Sequence, residues 1–280
     1  MTTTTSTTPP RAAAGPATTR NGLRRVGVLA RAELRLLVRN RTALFNALAL
    51  PPLTMALFTA AGGVGDAADD VVGPVLLNVL TLMSLTFVVY YNLTVAYVAR
   101  REELVLKRYL VGESSRAEIL AGAAVPAVVV ALAQAVLGVV AVSVFLEPPA
   151  FVNPLLMVLA VVGGSVMLTA LAAATSGLSR TVESAQLTTL PLLFVALPFA
   201  GIFGGPGSSS GVFDTISTFT PLRPITDLMM LGASGIDGDG QALTFVETLA
   251  AARVPLGVLI VWTFVGVLAA RRWMRWEPRR

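Results

Sequence analysis

Six apolar runs set the terms for this chain: residues 42–61, 71–99, 119–146, 151–178, 185–203 and 254–270, none of which contains a charge. Each is near or above the roughly 20 residues that a helix needs to cross the hydrocarbon core of a bilayer. The last is the shortest and gains length from residues 249–252. Inside lipid the backbone must satisfy its own hydrogen bonds, so each run is expected to be a helix. Charged residues make up only 13% of the chain, about half the share usual in a soluble domain. The expected fold class is therefore an all-α integral membrane protein with six transmembrane helices.

Charge on the connections sets the orientation. The segment before the first run, the link between the second and third, the link between the fourth and fifth, and the C-terminal stretch together hold nineteen of the twenty-one cations. The opposite side holds Arg223 and Arg253 beside Asp66, Asp69, Asp70, Glu147, Asp214, Asp227, Asp237, Asp239 and Glu247. Cytoplasmic loops collect Lys and Arg, so both termini are expected in the cytoplasm, and the arginine-over-lysine, alanine-rich usage points to a bacterial plasma membrane. The basic surface then faces anionic lipid head groups, with no nucleic-acid partner.

Residues 1–20 are rich in Thr, Pro and Ala and read as a disordered tail, leaving 21–280 as one transmembrane domain. Between Asn21 and Arg41 the pattern becomes amphipathic. Arg24, Arg31, Arg35 and Arg39 share one helical face, and Leu23, Val26, Leu29, Ala30, Leu34 and Leu37 lie mainly opposite. Val28 and Val38 interrupt the charged side and Glu33 the apolar one. Such a helix is expected to lie along the membrane surface.

The chain has no histidine and no cysteine, which removes imidazole and thiolate metal sites and every histidine-based catalytic arrangement. No catalytic residue, metal site or cofactor is expected on it. Its single lysine, Lys107, lies in Leu104-Val105-Leu106-Lys107-Arg108 rather than in a glycine-rich phosphate loop. The runs also lack the Asp or Glu that an intramembrane aspartyl enzyme would need, and no filter signature or charged pore ring points to a channel. A channel or a non-transporting scaffold is the alternative to a transporter.

Amides inside apolar runs either bond a neighbouring helix or face a pathway. Asn46, Asn78, Asn92, Gln134 and Gln186 are the set, and the first four are the pathway candidates. Prolines 51, 52, 126, 191 and 198 free backbone carbonyls and allow hinges. Between residues 204 and 241, Phe213, Ile216, Phe219, Leu222, Ile225, Leu228 and Met229 recur at helical spacing, so short re-entrant or interfacial helices are expected there. The Gly235–Gly240 stretch lacks the full ligand series of a calcium loop and reads as a solvated turn.

The segment from Val98 to Gly122 is the richest in signal. Leu104, Leu106, Tyr109 and Leu110 give a short helix an apolar side, and Arg100, Arg101, Glu102, Glu103, Lys107 and Arg108 give it mixed charge suited to docking a soluble partner. Ser115, with Glu118 three residues on, then reads as a helix start.

Here the chain resembles the permease subunit of type-2 ABC exporters, the family of drug, antibiotic-resistance and lipid or polysaccharide export permeases. Glu102-Glu103, Leu106-Lys107-Arg108-Tyr109-Leu110 and Ser115-Arg116-Ala117-Glu118-Ile119-Leu120 match the family pattern. Many members carry glycine and threonine where this chain has Leu104 and Val105, and Thr-Pro where it has Val111-Gly112-Glu113. The amphipathic helix resembles the family's elbow helix, Leu50-Pro51-Pro52-Leu53 its first span, and Thr220-Pro221-Leu222 its outer loop. The resemblance implies a coupling helix between spans 2 and 3, docked on a dimer of cytoplasmic ABC ATPases that hold ATP and Mg. It also implies a second permease copy or a paralogous permease as partner, and export of an amphipathic drug, antibiotic or lipid.

Overall fold

The computed structural model describes residues 19–39, 69–104, 115–146, 148–201, 211–237 and 240–274, together with the helical positions 45, 49, 53, 56, 57 and 60. Residues 1–18 of the tail, Asn46 and most of the expected first span, with Pro51 and Pro52, lie outside the described residues, as does most of the link between spans 2 and 3, while Thr19 and Arg20 open the first helix. Every regular element among those described is helical.

Helix α1 (Thr19–Arg39) carries the expected two faces. Arg24, Arg31, Arg35 and Arg39 are exposed, Ala30 is buried, and Val26 and Leu34 are half-buried where α1 rests against α4. Val28 and Val38 break the charged face as exposed apolar residues.

The second span is one long rod built from α2 (Asp69–Met83), a π-helical segment (Ser84–Tyr91) and α3 (Asn92–Glu102). It stops where Leu104 turns into the left-handed region at φ 60°. Helix α4 (Arg116–Phe145) follows, opened by the expected capping box: the Glu118 N–H donates to Ser115 Oγ at 3.3 Å, and the Ser115 N–H donates to the Glu118 carboxylate at 2.9 Å. Helix α5 (Pro154–Ser176) is the centre of the bundle and packs against the second span, α4, α6, α8 and α10.

The fifth apolar run departs from expectation. Helix α6 (Val182–Ala196) has only 15 residues, about 22 Å at 1.5 Å per residue. A 3-10 turn (Pro198–Ala200) and Gly201 at φ 78° then end it, so Pro198 is a terminator here rather than a hinge inside a 185–203 span. Proline lacks the N–H that would continue the ladder, and glycine accepts the left-handed cap without a Cβ penalty. Pro126 and Pro191 do lie within helices, in α4 and α6.

Three short helices make up the opposite end: α7 (Val212–Thr218), α8 (Arg223–Ala233) and α9 (Phe245–Ala251). Of the apolar residues expected to be covered there, Leu222, Ile225, Leu228 and Met229 are buried, whereas Phe213, Ile216 and Phe219 are exposed. The turn before α9 is closed by its own groups, with the Gln241 N–H donating to an Asp237 carboxylate oxygen at 2.8 Å. At the start of α9, the Thr244 N–H and hydroxyl both donate to Glu247 and hold its carboxyl below the usual range. Helix α10 (Arg253–Trp273) completes the set and lies against α5. Four of the described helical rods, over Val71–Glu102, Arg116–Phe145, Pro154–Ser176 and Arg253–Trp273, are long and apolar enough to cross a membrane; α6 is shorter.

Lipid gives helices no hydrophobic reason to associate, so close packing of small residues must hold them together. A Cβ on Gly164 of α5 would lie 2.8 Å from Leu85 of the π segment and 3.1 Å from Ile225 of α8, which makes Gly164 a three-way junction. A Cβ on Gly266 of α10 would lie 3.0 Å from Ala170 and 3.2 Å from the Leu171 nitrogen. Gly266→Leu is therefore expected to lower stability by about 1–3 kcal/mol through overpacking, read as a lower thermal midpoint in detergent. Leu104→Gly should act in the opposite direction, raising stability by roughly 0.5–1 kcal/mol, because it relieves the left-handed strain of a branched residue. A midpoint that falls in this second variant would contradict that account.

Candidate functional site

Of the residues expected to meet a soluble partner, Arg100, Arg101, Glu102 and Glu103 are described and lie at the arginine-rich end of the bundle. Arg100, Arg101 and Glu102 form the last turn of α3 rather than the start of a separate helix, and Glu103 and Leu104 follow in a turn. Glu102 and Glu103 are exposed, and Arg100 is half-buried. Leu106, Lys107, Arg108, Tyr109 and Leu110 lie outside the described residues.

Charge patterning places Arg101 on the same docking surface, but its side chain points inward and is 1% exposed. Nη1 donates to the Ser176 carbonyl at 3.0 Å, and Nη2 donates to the carbonyls of Ser179 at 2.7 Å and Arg180 at 3.3 Å. Ser176 is the last residue of α5, so the guanidinium meets carbonyls that a helix end leaves without partners. It also sits at the negative end of the helix dipole. Charge-assisted bonds of this kind are each worth about 1.5–3 kcal/mol. The same junction touches α10, because Gly177 leaves no room for a Cβ against the Trp273 carbonyl.

The spacing of residues carries a signal for this inward turn. Tyr90, Thr94, Tyr97 and Arg101 are four, three and four apart, a single stripe on a helix. All four are buried. The Tyr97 hydroxyl reaches the Leu120 carbonyl of α4 at 3.1 Å, and the Tyr90 hydroxyl lies 3.1 Å from Thr175 Oγ1 of α5. The tyrosine stripe thus ties the second span to α4 and α5.

The amides divide by environment. Gln134 of α4 is buried and accepts a hydrogen bond from the Ser84 hydroxyl of the π segment, an interhelical tie. Asn78 is also buried, and its Oδ1 has no partner among the described residues. Asn92 instead lies exposed on the second span, one turn or so from exposed Phe87. Gln186 is exposed on the first turns of α6. At the other end, Asn153, which no sequence pattern singles out, is buried and donates to Thr248 Oγ1 at 3.1 Å. Trp262 is a further tie, since its Nε1–H donates to the Phe219 carbonyl at 2.8 Å.

Among the described residues the bundle thus has charged residues at one end, polar ties between apolar helices, and exposed amides at Asn92 of the second span and Gln186 of α6. No curated protein matches the sequence. The family model described as ABC-2 type transporter matches residues 24–232, most of the chain, and so covers α1, the second span and the helices through α8. The chain belongs to the ABC-2 type transporter family, as a membrane-spanning permease rather than a catalytic subunit.

Proposed function

We propose that this chain is the permease subunit of an ATP-driven exporter. Two copies, or one copy and a related permease, would enclose the pathway, and a separate dimer of cytoplasmic ATPases would bind ATP and Mg and supply the work. The reading rests on one observation above the rest: in a chain of this family, a span of 32 residues ends in exposed Glu102 and Glu103, immediately before a cationic and apolar stretch. Acidic side chains held at the tip of a stiff rod suit a soluble partner with basic groups. The arginine distribution supports cytoplasmic termini in a bacterial plasma membrane, and arginine-over-lysine, alanine-rich usage fits a bacterial source.

The cargo in this reading is an amphipathic drug, antibiotic or lipid, leaving the cell. Apolar span walls with few amides and no intramembrane charge suit such a molecule better than an ion or a sugar. Asn92 is the pathway residue best supported, because an exposed amide about 15 Å along the helix from Glu102 is costly against lipid. Gln134 holds helices together in this scheme, Asn78 is buried inside the bundle, and Asn46 lies outside the described residues.

Gentle purification from the native membrane should bring a stoichiometric ATPase with vanadate-sensitive activity. Replacing Glu102 and Glu103 with lysine together should weaken that association by about tenfold while membrane insertion is unchanged. A cross-linked preparation without any ATPase would sink the exporter reading and favour a channel or scaffold. Unchanged association in the double variant would remove the two glutamates from the docking surface.

A further inference from the structure

We infer that Arg101 is the positioning residue that carries movement from the docking segment to the α5–α6 junction. This deepens the exporter reading and rests on it. The argument begins with place: Arg101 lies four residues before the 105–114 stretch, yet its guanidinium is inside the bundle. One side chain therefore joins the end of the second span to three consecutive structural features, the last residue of α5 (Ser176), the turn (Ser179) and the approach to α6 (Arg180).

The carbonyls it holds do not belong to a slack loop. The Arg180 and Thr181 N–H groups both donate to Ser184 Oγ at 2.9 Å, and the Ser184 N–H returns a bond to Thr181 Oγ1 at 3.2 Å, which locks the turn onto the start of α6. On the other side, Gly177 is pressed against the C-terminal backbone of α10. A displacement of α3 at Arg101 is thus delivered to α5, α6 and α10 at once, as the movement of a packed unit rather than the bending of a loop. A planar guanidinium is well shaped for such a link. Two of its nitrogens engage different carbonyls in fixed geometry, whereas a lysine ammonium is a point charge on a flexible stem.

The test uses the full chain in complex with its ATPase in lipid nanodiscs, and compares amide hydrogen exchange without nucleotide and after trapping with MgATP and vanadate. In the wild-type complex, segments 105–114 and 176–184 should respond together. In Arg101→Met, the response at 105–114 should persist while that at 176–184 falls by about tenfold, within the range usual for coupling between sites. Arg101→Lys should fall between the two. A merely structural role predicts a different pattern, in which 176–184 exchanges faster in both states and its response to trapping is retained. That pattern would overturn the proposal. So would a wild-type complex in which 105–114 responds and 176–184 does not, an outcome that stands even if Arg101→Met fails to insert. If neither segment of the wild type responds, the role of Arg101 falls together with docking at 105–114, whereas the exporter reading fails only if no ATPase accompanies the chain.

Discussion

Hydrocarbon offers no hydrogen-bond partner, and every polar group within the spans has to be arranged around that fact. The sequence keeps charge out of the runs and leaves a small set of amides and hydroxyls, many of which join one element to another. Ser84 meets Gln134 between the second span and α4, Tyr90 meets Thr175 between the second span and α5, and Asn153 meets Thr248 between α5 and α9. Thr94 and Ser165 instead bond back to carbonyls four residues earlier in their own helices, at Tyr90 and Val161. Small residues complete the work that polar ties begin, since Gly164 lets the side chains of Leu85 in the π segment and Ile225 in α8 pack directly onto the α5 backbone.

The helix termini at the two ends of the bundle are satisfied by backbone and side-chain partners. At the end that holds α8, backbone pairs with backbone: the Phe151 and Asn153 N–H groups donate at 3.0 Å to the carbonyls of Ala233 and Gly232, the last residues of α8. Side chains cap helices at both ends, through the Thr244–Glu247 box at the start of α9 and, at the arginine-rich end, through Arg101 on the carbonyl end of α5 and capping boxes at Ser115 and Thr181. Backbone pairing fixes two short elements in register. The capping boxes close α4 and α6 with residues of their own first turns, whereas the end of α5 depends on Arg101 of another helix.

Much of this was legible in the sequence because the signals were of single types. Four charge-free runs became helices long enough to span, and Ser115 with Glu118 formed the capping box that their spacing announces. The amphipathic face of α1 was equally plain, even to the exposed Val28 and Val38 that interrupt it. The failures came where two signals compete. In the 185–203 run, hydropathy continues past Ala196, but Pro198 and Gly201 end the helix. At Phe213, Ile216 and Phe219 the helical period is right, and packing against the bundle does not follow from it. Inside the second span an eight-residue π segment puts more residues into each turn. A stripe extrapolated from Leu77 with the ordinary helical period therefore loses its phase before reaching Arg101.

Arg100 and Arg101 are adjacent, and the positive-inside rule counts them alike. On a helix, neighbours point about 100° apart, so only one of the pair can continue the buried stripe of Tyr90, Thr94 and Tyr97. Burying a guanidinium there is tolerable because its surroundings are carbonyl-rich: α5 ends at Ser176, its dipole is negative at that end, and two further carbonyls of the following turn converge on the same group. The charged segment after the second span is thus two-faced. Its arginine is buried against the end of α5, and its two glutamates, Glu102 and Glu103, are exposed.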